Sequence, residues 1–219
     1  MTAATQAMRA LIKFDVQRTP VYPQQIIQHS GITTLISYEH SEALSMDDEF
    51  AFRAENPLVM SAALERPDAY GGTHFLFAYN RNASIGDLRY ALAAELGHVY
   101  LGHGYGAQGT AHNPDVREKE ATCFAIHLLF PRPVIRLLEE RGFVFTKESF
   151  ERVFGDCEGC IGHMMQAEPI HVSPELNRIM KDQFAQYVNM LDEMGVLKMK
   201  TRKSEEKVDL GKYMAGYEE

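Results

Sequence analysis

The sequence predicts an α+β fold in which a small sheet comes first and a helical region follows. Before residue 80, short segments rich in β-branched and aromatic residues alternate with turn-forming stretches such as RPDAYGG at 66–72. After residue 84, apolar residues recur at helical spacing, with capping residues before them and glycine or proline after them. The length of 219 residues suits one domain with an appendage, and we predict the ranges 1–142 and 143–219 for the two parts.

The elements are predicted in the following order. Strands are expected at ITTLISY (32–38), PLVMSAALE (57–65) and THFLFAYN (73–80). Helices are expected at 2–14, 23–31, 85–102, 115–130, 134–142, 146–155 and 173–195. Ser84 and Ser173 are the predicted caps of two of these helices, and PRP at 131–133 ends another. The acidic stretch 41–56 is predicted to be a loop or an irregular edge, and the charged tail after Lys198 is predicted to be mobile or docked on a partner.

Composition narrows the possible classes of function. Hydrophobic residues make up 45% of the chain, enough for an ordinary core, and the net charge of −8 disfavours tracking of nucleic-acid phosphates. We therefore expect a protein or small-molecule partner and no direct nucleic-acid contact. The N-terminus lacks a secretory pattern, and no stretch approaches the roughly 18 apolar residues of a membrane span. With only three cysteines, Cys123, Cys157 and Cys160, these features predict a cytoplasmic protein.

The most informative stretch is ALAAELGHVYLGH, from Ala91 to His103. Zinc peptidases carry H-E-x-x-H on a helix, because residues four apart lie on one face and two imidazoles there can bind one zinc ion. The Glu after the first His takes a proton from the metal-bound water. Glu95 and His98 fill two of these positions, but Ala94 stands where the first His would be. Alone, AELGH is more typical of an ordinary buried helix.

A second segment, REKEATCFAIHLLFP, changes this interpretation, because the two segments together resemble the ImmA/IrrE family of metallopeptidases. The resemblance covers about residues 10–140 and rests on Arg89, Leu92, Ala93, Glu95, Leu96, Gly97, His98, Leu101, Gly102, His103, Glu118, Glu120, Ala121, Phe124, Ala125, Leu128, Leu129 and Pro131. It implies a zincin-like fold, with a small sheet on an active-site helix and a helical C-terminal region. It also implies zinc as the cofactor and Glu95 as the general base, with His98 and Glu120 as metal ligands. The implied substrate is a DNA-binding repressor or other regulator of a mobile element, phage or stress response.

Ala94 departs from the family pattern and leaves only two of the three protein ligands that a catalytic zinc needs. We therefore expect weak zinc binding and impaired peptidase activity. The alternative is an inactive pseudopeptidase that blocks a regulator by binding it. His103 lies roughly 140° round the helix from His98 and is predicted to face elsewhere. His112, in a stretch rich in Gly, Asn and Pro, is a weak substitute ligand. The sequence leaves open whether Ala94 is natural or a laboratory substitution.

A smaller group of Cys and His residues follows downstream. Cys157 and Cys160 have C-x-x-C spacing, with His163 and His171 beyond them. Two unbonded thiols in a turn are the simplest interpretation, and a structural zinc site or a redox pair are the alternatives. His127 is expected in or beside the core.

The last predicted helix carries apolar residues at spacings of three and four, which is typical of a buried stripe. We expect this face to pack on the domain or on a second copy of the chain. Its residues are Leu176, Met180, Phe184, Tyr187 and Leu191.

Overall fold

The computed structural model describes residues 2–37, 61–67, 70–103, 113–155 and 171–198, together with positions 160, 162, 164, 208, 210 and 214. The predicted loop at 41–56, most of the charged tail, and His112 lie outside the described residues. Within them, the protein is mostly helical with one small sheet, which agrees with the predicted α+β class.

Three strands form the sheet, and all three were predicted. They are β1 (Thr33–Ser37), β2 (Ser61–Pro67) and β3 (Thr73–Tyr79). Their order is β1-β3-β2, so the last strand in sequence lies in the middle. β1 runs parallel to β3, and β2 runs antiparallel to it. Phe77 on the central strand is fully buried, and β2 is an edge strand of this sheet.

The helices follow the predicted order closely. They are α1 (Ala3–Lys13), α2 (Pro23–His29), α3 (Ile85–Leu101), α4 (Pro114–Leu129), α5 (Arg132–Glu139), α6 (Lys147–Phe154) and α7 (Pro174–Glu193), followed by a 3-10 turn at Val196–Lys198. α3 packs against β2 and β3, and α2 packs against α3 and β1. The sheet thus lies against the helix that carries the peptidase-like motif.

Local capping explains where several of these helices begin. The Ser84 hydroxyl accepts a hydrogen bond from the Asp87 backbone N–H at 3.1 Å, and Ser173 caps α7 in the same way. Thr146 and Ser149 form a reciprocal capping box at the start of α6. The predicted caps at Ser84 and Ser173 are therefore confirmed.

The chain divides into two compact units. One combines Met1–Val21 with Ile126–Glu219, and the other consists of Tyr22–Ala125. The first unit joins the two ends of the chain because α1 packs against α7, where the Gln183 amide donates to the Leu11 carbonyl at 3.0 Å. These units differ from the predicted ranges 1–142 and 143–219. Those ranges describe the expected extent of the family domain, and their boundary stays a prediction.

The apolar face of α7 is buried inside the first unit. Met180 and Phe184 are fully buried, and Leu176 and Leu191 nearly so. Tyr187 is half-buried, and its hydroxyl donates to the Thr19 carbonyl at 2.7 Å. The predicted burial of this stripe is confirmed for four of its five residues, and the surface it covers belongs to the same chain.

A second buried region of the first unit includes residues of α5 and α6. Phe130, Phe145, Phe150 and Phe154 form an aromatic cluster with ring centroids 4.7–6.3 Å apart. His127 is fully buried, as expected, and burial lowers the pKa of its imidazole well below the usual range, with the Arg132 charge acting in the same direction. Among the described residues, Pro114–Glu139 is long and apolar enough to cross a membrane, but 83% of its apolar window is buried in the protein, which a core helix also shows.

Candidate functional site

The motif residues occupy one side of α3. Leu92, Ala93, Leu96 and Gly97 are buried, whereas Ala94, Glu95 and His98 are each partly exposed. The helical spacing therefore turns the motif positions away from the core. Ala94 lies one turn before His98 on this side and supplies no donor atom.

Close packing of α3 on α4 brings the second segment to the motif. A Cβ added to Gly97 would lie 3.1 Å from the Ala121 Cα and O atoms and from the Phe124 Cβ. Beside this contact the Tyr100 ring stacks on Phe124, with centroids 5.7 Å apart. A side chain at this position would require the neighbouring backbone of α4 to shift, so Gly97 allows the two helices to pack at this distance.

His103 joins the site, contrary to the prediction that it faces elsewhere. Its Nδ1 lies 3.0 Å from the His98 Nδ1, and its Nε2 lies 3.1 Å from the Glu120 Oε2. The predicted angle assumed that the helix continues to His103, but α3 ends at Leu101 and Gly102 adopts the left-handed φ of 69°. The chain therefore reverses, and the His103 N–H donates to the His98 carbonyl at 3.0 Å.

Two carboxylates and two imidazoles thus form one chain of contacts, which we call the histidine–carboxylate cluster: Glu118, His98, His103 and Glu120. The His98 Nε2 lies 3.5 Å from the Glu118 Oε1, at the outer end of the chain. The side chains of His103 and His98 are 4% and 15% exposed, whereas Glu118 and Glu120 are 74% and 48% exposed. The imidazoles are therefore inside and the carboxylates face solvent.

The protonation of His98 follows from its surroundings. Burial lowers the pKa of the His98 imidazole, the Glu118 carboxylate opposes this shift, and His103 and Arg117 add to it. His98 therefore favours the neutral state, in which one ring nitrogen keeps its lone pair.

Glu95, the predicted general base, lies at the border between α3 and the sheet. The Ser61 hydroxyl at the start of β2 donates to its Oε1 at 3.4 Å, a long contact. Glu95 is therefore close to β2, an edge strand of the described sheet. The structure does not test its catalytic role, which stays a prediction.

The predicted ligands His98 and Glu120 are both near His103, but the donor atoms do not converge on one point. Among the described residues, no group of three or more His, Cys, Asp or Glu side chains could hold a metal ion. His103 turns one ring nitrogen to His98 and the other to Glu120, and nitrogens on opposite sides of one ring cannot face the same ion. With Ala94 at the remaining position, the residues present do not fit a three-ligand zinc site.

The C-x-x-C segment is only partly described. Cys160 is buried and disulfide-bonded, so the expectation of an unbonded thiol is wrong at this position. Cys123 is partly exposed, and His171 is exposed. Cys157 and His163 lie outside the described residues.

Comparison with known proteins agrees with the motif. Residues 60–166 match the IrrE N-terminal-like domain, a peptidase family. The matched range contains β2, β3, α3 and α4, and therefore every residue of the cluster. No curated protein sequence and no solved structure matches the chain significantly.

Proposed function

Because the chain belongs to the ImmA/IrrE family of metallopeptidases through residues 60–166, we propose that it has the zincin-like fold of that family. We also propose that it descends from a zinc-dependent peptidase that cuts a DNA-binding repressor or other transcriptional regulator. In this chain the hydrolysis is impaired. The observation that carries this conclusion is Ala94 at the first ligand position, together with a cluster whose donors do not converge.

The proposed catalytic group is Glu95, and the proposed ligands of the ancestral zinc are His98 and Glu120. Zinc in such a site supplies an activated water and polarises the scissile carbonyl. A catalytic site needs three protein ligands, and here two are available, so no hydrolytic step is assigned to the native chain. Glu95 is retained beside Ser61, which would allow activity to return if the ligand set were restored.

The sheet supports a protein as the partner. β2 is the edge strand of the described sheet, and its first residue, Ser61, contacts Glu95. An edge strand offers unpaired backbone groups to which an extended peptide can add as a further strand. A peptide bound along β2 would therefore pass Glu95. The net charge of −8 also favours a protein over DNA as the direct partner.

A second candidate function is binding without cleavage. In it, the chain is a pseudopeptidase that blocks a regulator by occupying it. The histidine–carboxylate cluster favours this candidate, because the side chain of His103 contacts both predicted ligands, His98 and Glu120.

Three proteins distinguish the two candidates: the native chain, Ala94→His, and Ala94→His combined with Glu95→Gln. Each is incubated with zinc and a quenched fluorescent peptide library. An impaired peptidase predicts no cleavage by the native chain, cleavage by Ala94→His, and a loss of about 10²–10⁴-fold in rate in the double variant, the usual contribution of a general base. If Ala94→His binds zinc but cuts nothing, the binding-module function is supported. Cleavage by the double variant at the rate of Ala94→His would contradict the role of Glu95.

A further inference from the structure

We infer that His103 holds the site in order without a metal ion, by joining His98 to Glu120. The family pattern implied other residues as ligands and gave His103 no role in the site. The inference concerns how the cluster is kept in place, and it does not rest on whether the chain cuts or binds its partner.

Each polar group of His103 has a partner. Its backbone N–H donates to the His98 carbonyl at 3.0 Å, and its carbonyl accepts from the Arg117 guanidinium at 3.2 Å. One ring nitrogen faces His98 and the other faces Glu120, at 3.0 and 3.1 Å. The side chain is 4% exposed. His103 is therefore fixed at both its backbone and its ring, and it acts as a positioning residue.

These contacts compete with metal binding. The His103 Nε2 lies 3.1 Å from the Glu120 Oε2, so this contact occupies an oxygen of the predicted ligand Glu120. The His103 Nδ1 faces the Nδ1 of His98, whose other ring nitrogen faces Glu118. A zinc ion bound through this oxygen of Glu120 would first have to displace its contact with His103. In a chain without the ligand at Ala94, little is gained by doing so.

The same contacts also bear on how the protein should respond to a chelator. A peptidase-fold protein that relies on zinc loses stability when a chelator removes the ion. Here the bridge from His98 through His103 to Glu120 is made of protein alone. The cluster should therefore keep its arrangement in the presence of a chelator, and the melting temperature of the native chain should be unchanged by either chelator or added zinc.

The test compares zinc affinity in the Ala94→His background, with and without His103→Ala. If His103 competes with the metal, its removal tightens zinc binding by about tenfold, because the hydrogen bonds of its ring no longer have to be broken. His74→Ala is the matched control, since His74 is another imidazole of the same unit and contacts Thr34 at 2.8 Å outside the cluster. That control should leave zinc affinity unchanged. Unchanged or weaker zinc binding on removal of His103 would overturn the inference, and weaker binding would identify His103 as a replacement ligand.

A measurement on the native chain keeps the inference testable if His103→Ala does not fold. Imidazole ¹⁵N spectra are recorded before and after one equivalent of zinc. The inference predicts that the signals of the two His103 ring nitrogens do not move, because these atoms stay engaged with His98 and Glu120. Stoichiometric shifts of both signals would overturn it. Neither readout depends on peptidase activity, so failure of the inference is distinguishable from failure of the proposed function.

Discussion

Gly97 of α3 lies so close to Ala121 of α4 that an added Cβ would be 3.1 Å from two backbone atoms of Ala121. Each of these residues is the sequence neighbour of a cluster residue, since His98 follows Gly97 and Glu120 precedes Ala121. The packing of α3 on α4 therefore also brings the residues of the cluster together. A change in the helix spacing would move the imidazoles relative to the carboxylates.

A graded substitution at Gly97 tests this link. Gly97→Ala should be destabilising because the Cβ contacts are with backbone that cannot rotate away, and Gly97→Leu should be worse, with overpacking of this kind costing about 1–3 kcal/mol. Urea unfolding of the two variants measures the loss. If Gly97→Leu were as stable as the native chain, the helices would not be held at the observed distance.

A second glycine controls the position of His103. Gly102 has φ 69° and no atom within 4 Å of an added Cβ, so Gly102→Ala introduces backbone strain alone, about 1–2 kcal/mol. Gly31→Ala is the matched control, with φ 72° and equally open surroundings. Both variants should lose similar stability, but only Gly102→Ala should change the imidazole spectrum of His98 and His103. An identical spectrum in the two variants would show that the turn does not position His103.

The helices and strands could be predicted from the sequence because their signals are local. Ser84 and Gly102 mark the ends of α3, and the predicted range 85–102 differs from the observed helix, Ile85–Leu101, by one residue. The same glycine that ended the helix should have shown that His103 lies beyond it. A helical angle has no meaning beyond the cap, so the spacing from His98 does not give the position of His103.

Other features depend on contacts between distant parts of the chain. The central position of β3 and the pairing of α1 with α7 have no local signature, since Leu11 and Gln183 are far apart in sequence. The predicted roles of Glu95 and His98 rest on the incomplete motif together with the family resemblance, because Ala94 breaks the motif that spacing alone would recognise. The predicted role of Glu120 rests on the resemblance alone.

Because one face of α7 is buried and the other is exposed, an added charge should lower stability much more on the buried face. Leu191→Asp should lower stability by more than the roughly 1.5–3 kcal/mol that burial of a leucine contributes, since it also buries an unpaired carboxylate. Met190→Asp, one position earlier on the exposed side, should be nearly neutral. Thermal melting and light scattering are measured together. Because the stripe is covered by the same chain, the mass should not change, and a halved mass for Leu191→Asp would contradict this.

The buried imidazole of His127 predicts a pH dependence of stability. Its folded pKa lies below the ordinary value of 6.5, so below that pH the unfolded chain binds a proton that the folded chain does not. Above pH 6.5 the imidazole of His127 is neutral in both states and does not change the free energy of unfolding with pH. Below pH 6.5 it lowers the free energy of unfolding as the pH falls, by up to about 1.4 kcal/mol per pH unit until the folded pKa is reached.

Replacing His127 by Leu should flatten this slope, whereas His171→Gln, at an exposed imidazole, should leave it as in the native chain. Urea unfolding at a series of pH values from about 7.5 to 5 provides the measurement. Equal slopes in the native chain and in His127→Leu would show that another group is responsible.

The zinc content of the native chain and of Ala94→His tests the central claim most directly. Both proteins are dialysed against zinc and then against buffer, and the bound metal is measured by elemental analysis. The account predicts clearly substoichiometric zinc in the native chain and about one equivalent in Ala94→His, because only the variant has three protein ligands. A full equivalent of zinc in the native chain, lost when either His98 or Glu120 is replaced, would contradict it.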